Sequence, residues 1–403
     1  MRRTALFGSC LTLLLAAAGC DQRVTEPAPE ATGPALSAIA GMDGISAAGI
    51  DCPSFLSLAD GRIADGDLFN LGVDPTEAIN PDDYICPAST PIFDIYNDAV
   101  VQLIVEEFDI FLFLYVDVWA DLLPQYEALI FLEAEHKQEF GYDGEFTNAI
   151  DRTNIDLRRF SDIPSDNLQV VPMKGSMLND ADRVARAYQS PLVPPFGGLS
   201  EANAYFVAGL IQDALDASNL LDGGDHPLFS FNAFAFSGSA GLGIPPKIIM
   251  GDAILNGYAD LGFGDVAPQA ILAHEWAHQI QFAYGWYNDP VPSLDPPADA
   301  AEETRYSELM SDAWAAYFLT HKRGATMNQK RVVQFLEVFY QIGDCAFSDP
   351  GHHGTPNQRM KAAMWGFDLA DQAQVQVQGH IMSSQEFHDA FVANYLSFIQ
   401  PDA

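Results

Sequence analysis

Apolar residues recur every three or four positions through much of the second half of the chain. This spacing is typical of helices that bury one face. Ser200 is placed to cap the first of these helices, Gly285 and Gly324 to end the second and third, and Thr355 with Pro356 to begin the fifth. The predicted helices cover about residues 200–221, 265–284, 299–323, 329–342, a stretch from 355 onward, and 384–399.

The segment from residue 91 to about 136 is also strongly apolar and is predicted to be helical. Within it, the run 110–116 looks membrane-like, but Asp109 and Asp117 bracket it. The run is too short to span a bilayer, so we expect a buried helix.

Two short segments have the pattern of strands. A period-two alternation begins at Phe229–Asn232, and Lys247–Met250 follows two prolines. Two interpretations of Lys247–Met250 stay open, an edge strand that pairs with a bound peptide or a strand of the core. Many helices with few strands predict an α+β fold, mainly helical with a small sheet.

The N-terminus has the pattern of an export signal. Met1–Arg3 is positively charged, and an apolar run follows from Ala5 to Ala18. Small residues then precede Cys20, as in the bacterial lipobox, so we expect removal of residues 1–19 and lipidation of Cys20. The alternative is ordinary cleavage after Ala18. The expected location is the bacterial cell envelope, on the periplasmic or outer side, with the membrane contacted through the lipid anchor.

Charge excludes one class of partner. The chain has 19 Lys+Arg against 55 Asp+Glu, a formal net charge of −36. A chain this acidic repels a phosphate backbone, so no nucleic-acid partner is expected.

The cysteines and the composition suggest how the chain is divided. One disulfide is expected after export, with Cys52–Cys86 as the simplest pairing and Cys345 as an alternative partner. The predicted parts are a signal peptide (1–19), a lipidated cysteine with a flexible tether (20–50), a mostly helical region without an assigned role (51–225) and a catalytic domain (226–403).

The predicted helix 265–284 carries a metal-binding pattern, His274-Glu275-Trp276-Ala277-His278. Histidines at i and i+4 lie one turn apart on one helical face, where both imidazoles can bind one Zn²⁺ ion. Glu275 lies one position round the helix and can accept a proton from a zinc-activated water.

A catalytic zinc site needs a third protein ligand. The pattern H-E-x-x-H-x-x-G-x-x-H, in which the last histidine is the third ligand, is excluded. Gln281 stands at its glycine position and Tyr284 at its last histidine position. The next predicted helix offers Glu308 and Asp312, which share a face among apolar neighbours. We expect Glu308 to ligate the metal and Asp312 to hold a histidine N–H.

With these residues the chain resembles the thermolysin-type zinc peptidases, the gluzincins, and more closely the bacterial neutral zinc metallopeptidase family. The second likeness includes Glu308–Asp312 as E-L-x-x-D, then Gly343 and Asp344, then 353–359 as H-G-T-P-N-Q-R. The resemblance implies a zincin-like catalytic domain. His353 then has two interpretations, an oxyanion-stabilising catalytic residue or part of a helix-entry loop capped by Thr355.

The expected function is that of an exported zinc metallopeptidase, which hydrolyses peptide bonds of a peptide or protein substrate with Glu275 as general base. One alternative is a surface lipoprotein that binds a partner and uses zinc only structurally, with a fourth ligand such as His353. Another is a chance motif in an acidic helical protein, which would bind no stoichiometric zinc.

Overall fold

The computed structural model describes residues 85–87, 89–133, 138–194, 197–288, 291, 300–327, 329–344, 352–376 and 379–402. The predicted signal peptide, the lipidated Cys20 and its tether lie outside the described residues. So do Cys52 and Cys345, two of the three cysteines considered for a disulfide.

The structure is mainly helical (64%) with a three-stranded mixed sheet, which confirms the predicted α+β class at this level. The longer elements are α1 (Pro91–Glu106), α2 (Leu123–Ile130), α3 (Thr147–Phe160), β1 (Gln169–Met173), α4 (Ala181–Gln189), α5 (Glu201–Ala217), β2 (Ala233–Phe236), β3 (Lys247–Gly251), α6 (Asp252–Asp260), α7 (Ala267–Tyr284), α8 (Ala300–Thr320), α9 (Gln329–Gln341), α10 (Pro356–Gln376) and α11 (Ser384–Phe398). Short helical segments are Phe108–Phe111, Leu112–Asp117, Ala120–Leu122, Gly175–Asn179, Asp222–Gly224, Pro227–Ser230 and Trp286–Asn288.

Strand β3 lies in the centre of the sheet. It pairs in parallel with β1, with Val171 opposite Ile249, and antiparallel with β2, with Phe234 opposite Ile249. The strand predicted at Lys247–Met250 is therefore confirmed, but its interpretation as an edge strand is wrong. Both of its sides are already hydrogen-bonded, so it has no free edge for a peptide.

The strand expected to begin at Phe229 begins four residues later, at Ala233. Pro227 opens a one-turn helix over Pro227–Ser230 instead, and Nδ1 of His226 accepts a hydrogen bond from the Leu228 amide. Proline in the first helical turn and a side-chain cap both favour this turn, so the alternation of Phe229 and Phe231 does not describe a strand.

The long apolar segment after residue 91 is broken rather than continuous. Helix α1 ends at Glu106, the run 112–117 forms a turn of π-helix, and Trp119 has a left-handed φ of 53°. Phe113 and Leu114 are nevertheless buried, as expected for this run. The helix that begins after the Ser200 cap ends at Ala217 rather than Leu221.

The sheet separates two hydrophobic cores. On β3, Ile248 and Met250 face the larger core, whereas Ile249 faces the smaller one. The larger core is built mainly from α3, α7, α8, α9, α10 and α11, and the smaller one mainly from α2, α4 and α5. Alternation along a strand produces this division, because successive side chains point to opposite faces.

The sheet joins residues from both sides of position 225, the predicted boundary between an N-terminal region and a catalytic domain. Strand β1 comes from before that position and pairs along its whole length with β3, which comes after it. No helix in the described ranges combines the length and apolar character needed to cross a bilayer.

Candidate metal centre

Helix α7 passes through the larger core and is buried on nearly every face from Ala270 to Gln281. A proline in its first turn favours its start, and Gly285, with a left-handed φ of 74°, ends it. His274, Glu275 and His278 are only 3–6% exposed. Imidazoles buried in this way need partners, and the partners of His274 and His278 define the site.

Glu308 on α8 meets both histidines of α7. Its Oε2 lies 3.0 Å from Nε2 of His274, and its Oε1 lies 3.2 Å from Nε2 of His278. The two Nε2 atoms are 3.1 Å apart. One ligand atom from each of the three buried residues lies within 4.8 Å of the others, so this group can hold a metal ion. The structure brings together the three ligands predicted from the sequence.

Asp312 holds His274 from behind, as predicted. Its Oδ1 lies 2.9 Å from Nδ1 of His274. A carboxylate only accepts hydrogen bonds, so Nδ1 carries a proton, and Nε2 is the nitrogen that can bind a metal once it has released its own proton. Arg359 on α10 binds the same carboxylate through two hydrogen bonds of 2.7 Å, from Nε to Oδ2 and from Nη2 to Oδ1.

His278 is held by an amide and a hydroxyl. Its Nδ1 lies 2.9 Å from Oε1 of Gln281 and 3.2 Å from Oγ of Ser311. The Gln281 amide has a defined orientation, because its Nε2 donates to the carbonyl of Ser307 at 2.8 Å. Gln281 therefore presents its oxygen to His278, which leaves Nε2 of that histidine available to a metal as well.

Comparison of the chain with family models, with curated protein sequences and with solved structures gave no match. The likeness to zinc peptidases therefore rests on the motifs of this chain. The capacity of the three residues to hold a metal rests on their geometry alone.

The centre favours a positive charge. Burial by itself lowers the pKa of His274, but the Glu308 carboxylate and the hydrogen bond to Asp312 outweigh burial and raise that pKa to about 9. Burial likewise lowers the pKa of Arg359, and Asp312 and Glu308 raise it above its usual value. The carboxylates of Glu308 and Asp312 thus stabilise positive charge on two neighbours, His274 and Arg359.

Glu275, the predicted general base, lies on α7 directly after His274 and is 6% exposed. Within the described residues no hydrogen bond holds its carboxylate. Gln279, one turn further along the same face, binds the carbonyls of Phe236 and Lys247 and fixes the helix against the sheet. Glu275 is thus placed on a rigid helix. Among the described residues, no hydrogen-bond partner competes for its carboxylate.

His353 is not part of the group formed by His274, His278 and Glu308. Its backbone N–H donates to Oδ2 of Asp344 at 2.8 Å, its Nδ1 lies 3.1 Å from the same oxygen, and its side chain is 48% exposed. Thr355 caps α10 by accepting from the amide of Gln358, as the loop interpretation predicts. A catalytic role of His353 stays a prediction.

Three residues that hold the site were not expected to do so from the sequence: Arg359, Gln281 and Ser311. Gln281 had a recognisable signal, since a residue three positions after His278 lies on the same helical face. Arg359 had a weaker one, as a basic residue at the end of a motif. Its contact with Asp312 spans 47 positions, which spacing alone does not predict.

Proposed function

We propose that the chain is an exported zinc metallopeptidase, with His274, His278 and Glu308 as zinc ligands and Glu275 as the general base. The observation that carries the proposal is the arrangement of the three ligands. Two imidazole nitrogens one turn apart on α7 and a carboxylate on α8 converge within 4.8 Å, directly beside Glu275. Two nitrogens and one oxygen are a donor set that suits Zn²⁺.

The number of ligands supports a catalytic rather than a purely structural site. Structural zinc sites fill four positions with protein side chains, whereas catalytic sites use three and leave one open. Within the described residues, no fourth His, Cys, Asp or Glu belongs to the group. His353, the fourth ligand that a structural site would favour, is held by Asp344 instead.

Each residue then has a definite task. Zinc, when bound, would polarise the scissile carbonyl and lower the pKa of a water molecule. Glu275 accepts the proton that this water loses and delivers it to the nitrogen of the leaving amine. Asp312 and Gln281 keep the proton of each histidine on Nδ1, so that both Nε2 atoms point their lone pairs at one position.

The test is cleavage of casein and of a peptide library by the chain from residue 21, beside its Glu275→Gln variant. Glutamine keeps the shape of the side chain but cannot accept the proton. We expect both proteins to bind one zinc ion, and the variant to lose about 100-fold or more in kcat, the usual scale of general-base catalysis. Equal cleavage by the two proteins would overturn the role of Glu275, and zinc binding without cleavage by either would favour a binding protein.

A further inference from the structure

The segment from His352 to Arg359 forms a connected unit, of which the proposed chemistry uses at most His353. Asp344 anchors its beginning. Oδ1 of Asp344 lies 2.6 Å from Nδ1 of His352, and Oδ2 binds the amide of His353. The Asp344 amide in turn donates to the carbonyl of Gly354 at 2.9 Å. Asp344 therefore holds both histidines through its side chain and Gly354 through its backbone amide, and these contacts form a tight loop.

The middle of the segment packs closely against α8. Gly354 has a left-handed φ of 97°, and a Cβ added there would lie 3.2 Å from Cδ2 of Leu309, the residue after Glu308. The next residue starts α10 with a reciprocal cap. The amide of Thr355 donates to Oε1 of Gln358 at 3.0 Å, and Oγ1 of Thr355 accepts from the amide of Gln358 at 3.2 Å. The loop and cap together set the position of the first turn of α10.

That first turn carries Arg359, which is 1% exposed and points at the metal centre. Its guanidinium binds both oxygens of Asp312, and its Nη2 also lies 3.4 Å from Oε2 of Glu308. One rigid cation thus contacts a predicted metal ligand and the carboxylate that holds another ligand, His274. A planar guanidinium fixes both the position and the orientation of a carboxylate, which a single point charge does not.

We propose that Arg359 is a positioning residue of the metal centre, and that residues 352–358 serve to place it. The inference rests on the proposed zinc site and deepens it. Without Arg359, Glu308 and Asp312 would lose the guanidinium that contacts both of them, and both buried carboxylates would depend on His274 alone. Their repulsion and the freedom of Asp312 to rotate would release Nδ1 of His274 and disturb the ligand geometry.

The experiment measures zinc affinity by competition with a chromophoric chelator for the wild type, Arg359→Met and Arg359→Lys. Losing such a contact behind a ligand typically costs about 10–100-fold in metal affinity, which is the loss expected for Arg359→Met. Arg359→Lys keeps the charge but not the two parallel hydrogen bonds, and a smaller loss is expected. The visible spectrum of the Co²⁺-substituted proteins provides a second readout, and we expect altered d–d bands in Arg359→Met.

Arg183→Met is the matched control. Arg183 also makes two hydrogen bonds to one buried carboxylate, that of Glu127, but it lies on α4, whose apolar face belongs to the smaller core. We expect this variant to lose stability while it keeps wild-type zinc affinity and the wild-type Co²⁺ spectrum.

Two outcomes would count against the inference. Wild-type zinc affinity and an unchanged Co²⁺ spectrum in folded Arg359→Met would overturn the positioning role and leave the zinc site intact. If Arg359→Met does not fold, Arg359→Lys decides by the same two measurements. A wild-type chain that binds no zinc would overturn the proposed function first, and the inference with it.

Discussion

At the scale of single residues, the two histidines of the candidate centre are held by different chemistry. Nδ1 of His274 faces a carboxylate, whereas Nδ1 of His278 faces the Gln281 amide oxygen and the Ser311 hydroxyl. A carboxylate increases the basicity of an imidazole more than a neutral amide does, because it stabilises positive charge on the ring. We therefore expect the two histidines to differ in their strength as metal ligands, although both belong to one motif.

A prediction follows for Gln281, the neutral partner of His278, and its test changes none of the proposed ligands. Gln281→Leu removes the acceptor at 2.9 Å from Nδ1 of His278, so the ring loses its fixed tautomer. We expect zinc affinity to fall about tenfold, the lower end of the range for such contacts, because Ser311 remains as a second partner. Competition with a chromophoric chelator measures the change.

Gln269→Leu is the control for this prediction. It makes the same substitution on the same helix, where, among the residues that the structure describes, the side chain hydrogen-bonds only to the carbonyl of Asp265. We expect unchanged zinc affinity in this variant. If both variants bind zinc as tightly as the wild type, Gln281 has no part in the centre.

At the scale of elements, the site depends on the close crossing of α8, which carries Glu308 and Asp312, with α10, which carries Arg359. Gly366 lies at this crossing, and a Cβ added there would be 2.0 Å from the carbonyl oxygen of Ala313. A backbone oxygen cannot move aside as a flexible side chain can. The absence of a side chain at Gly366 therefore sets the distance between the two helices.

Gly366→Ala is expected to push α10 away from α8 and to destabilise the protein by about 1–3 kcal/mol, the usual cost of overpacking. Urea denaturation followed by circular dichroism measures this difference. The matched control is Gly209→Ala in the interior of α5, where nothing lies within 4 Å of the added Cβ. Because alanine is the better helix former, this control should gain about 0.5–1 kcal/mol. A stability gain in both variants would show that the crossing tolerates a methyl group.

Elements with clear end signals could be predicted from the sequence, and elements defined by their neighbours could not. Helix α7 has a proline in its first turn and a glycine after its last, and its predicted end at Tyr284 is confirmed. Strand β1 was not predicted, since Val170, Val171 and Met173 are buried on both faces and show no alternation. The central position of β3 depends on that missed strand.

The candidate site shows the same limit. His274, His278 and Glu308 could be predicted, because the chemistry of a metal demands particular residue types at helical spacing. The Arg359 contact could not, because it depends on how α10 crosses α8. The spacing of charged residues along one chain contains no information about that crossing angle.

At the scale of the whole molecule, Ile85 and Asp402, which are far apart in the sequence, meet near the start of α10. The Ile85 amide donates to Oδ2 of Asp402 at 3.0 Å, and the same oxygen accepts from Nδ2 of Asn357 at 2.9 Å. On the other side of Cys86, the Thr90 hydroxyl donates to the carbonyl of Gln341. Hydrogen bonds thus join Ile85 and Asn357 to Asp402, and Thr90 to Gln341.

This closure predicts the partner of Cys86, which is disulfide-bonded. Thr90, four residues after Cys86, contacts Gln341, which is four residues before Cys345 in the sequence. We therefore expect Cys86 to pair with Cys345 rather than with Cys52, the pairing that sequence proximity favours. Proteolysis without reduction, followed by mass spectrometry, should give a cross-linked peptide that contains residues 86 and 345.

Two serine variants make the disulfide prediction decisive. Cys345→Ser should leave Cys86 with a thiol that reacts with a maleimide after unfolding, whereas Cys52→Ser should leave the cross-linked peptide unchanged. A peptide that links residues 52 and 86 would contradict the expectation. A bond at Cys345 would matter for the centre, because Asp344, which anchors the loop that places Arg359, is the neighbour of Cys345 in the sequence. A disulfide from Cys86 at that point would restrain the positioning segment, so reduction should also weaken zinc binding.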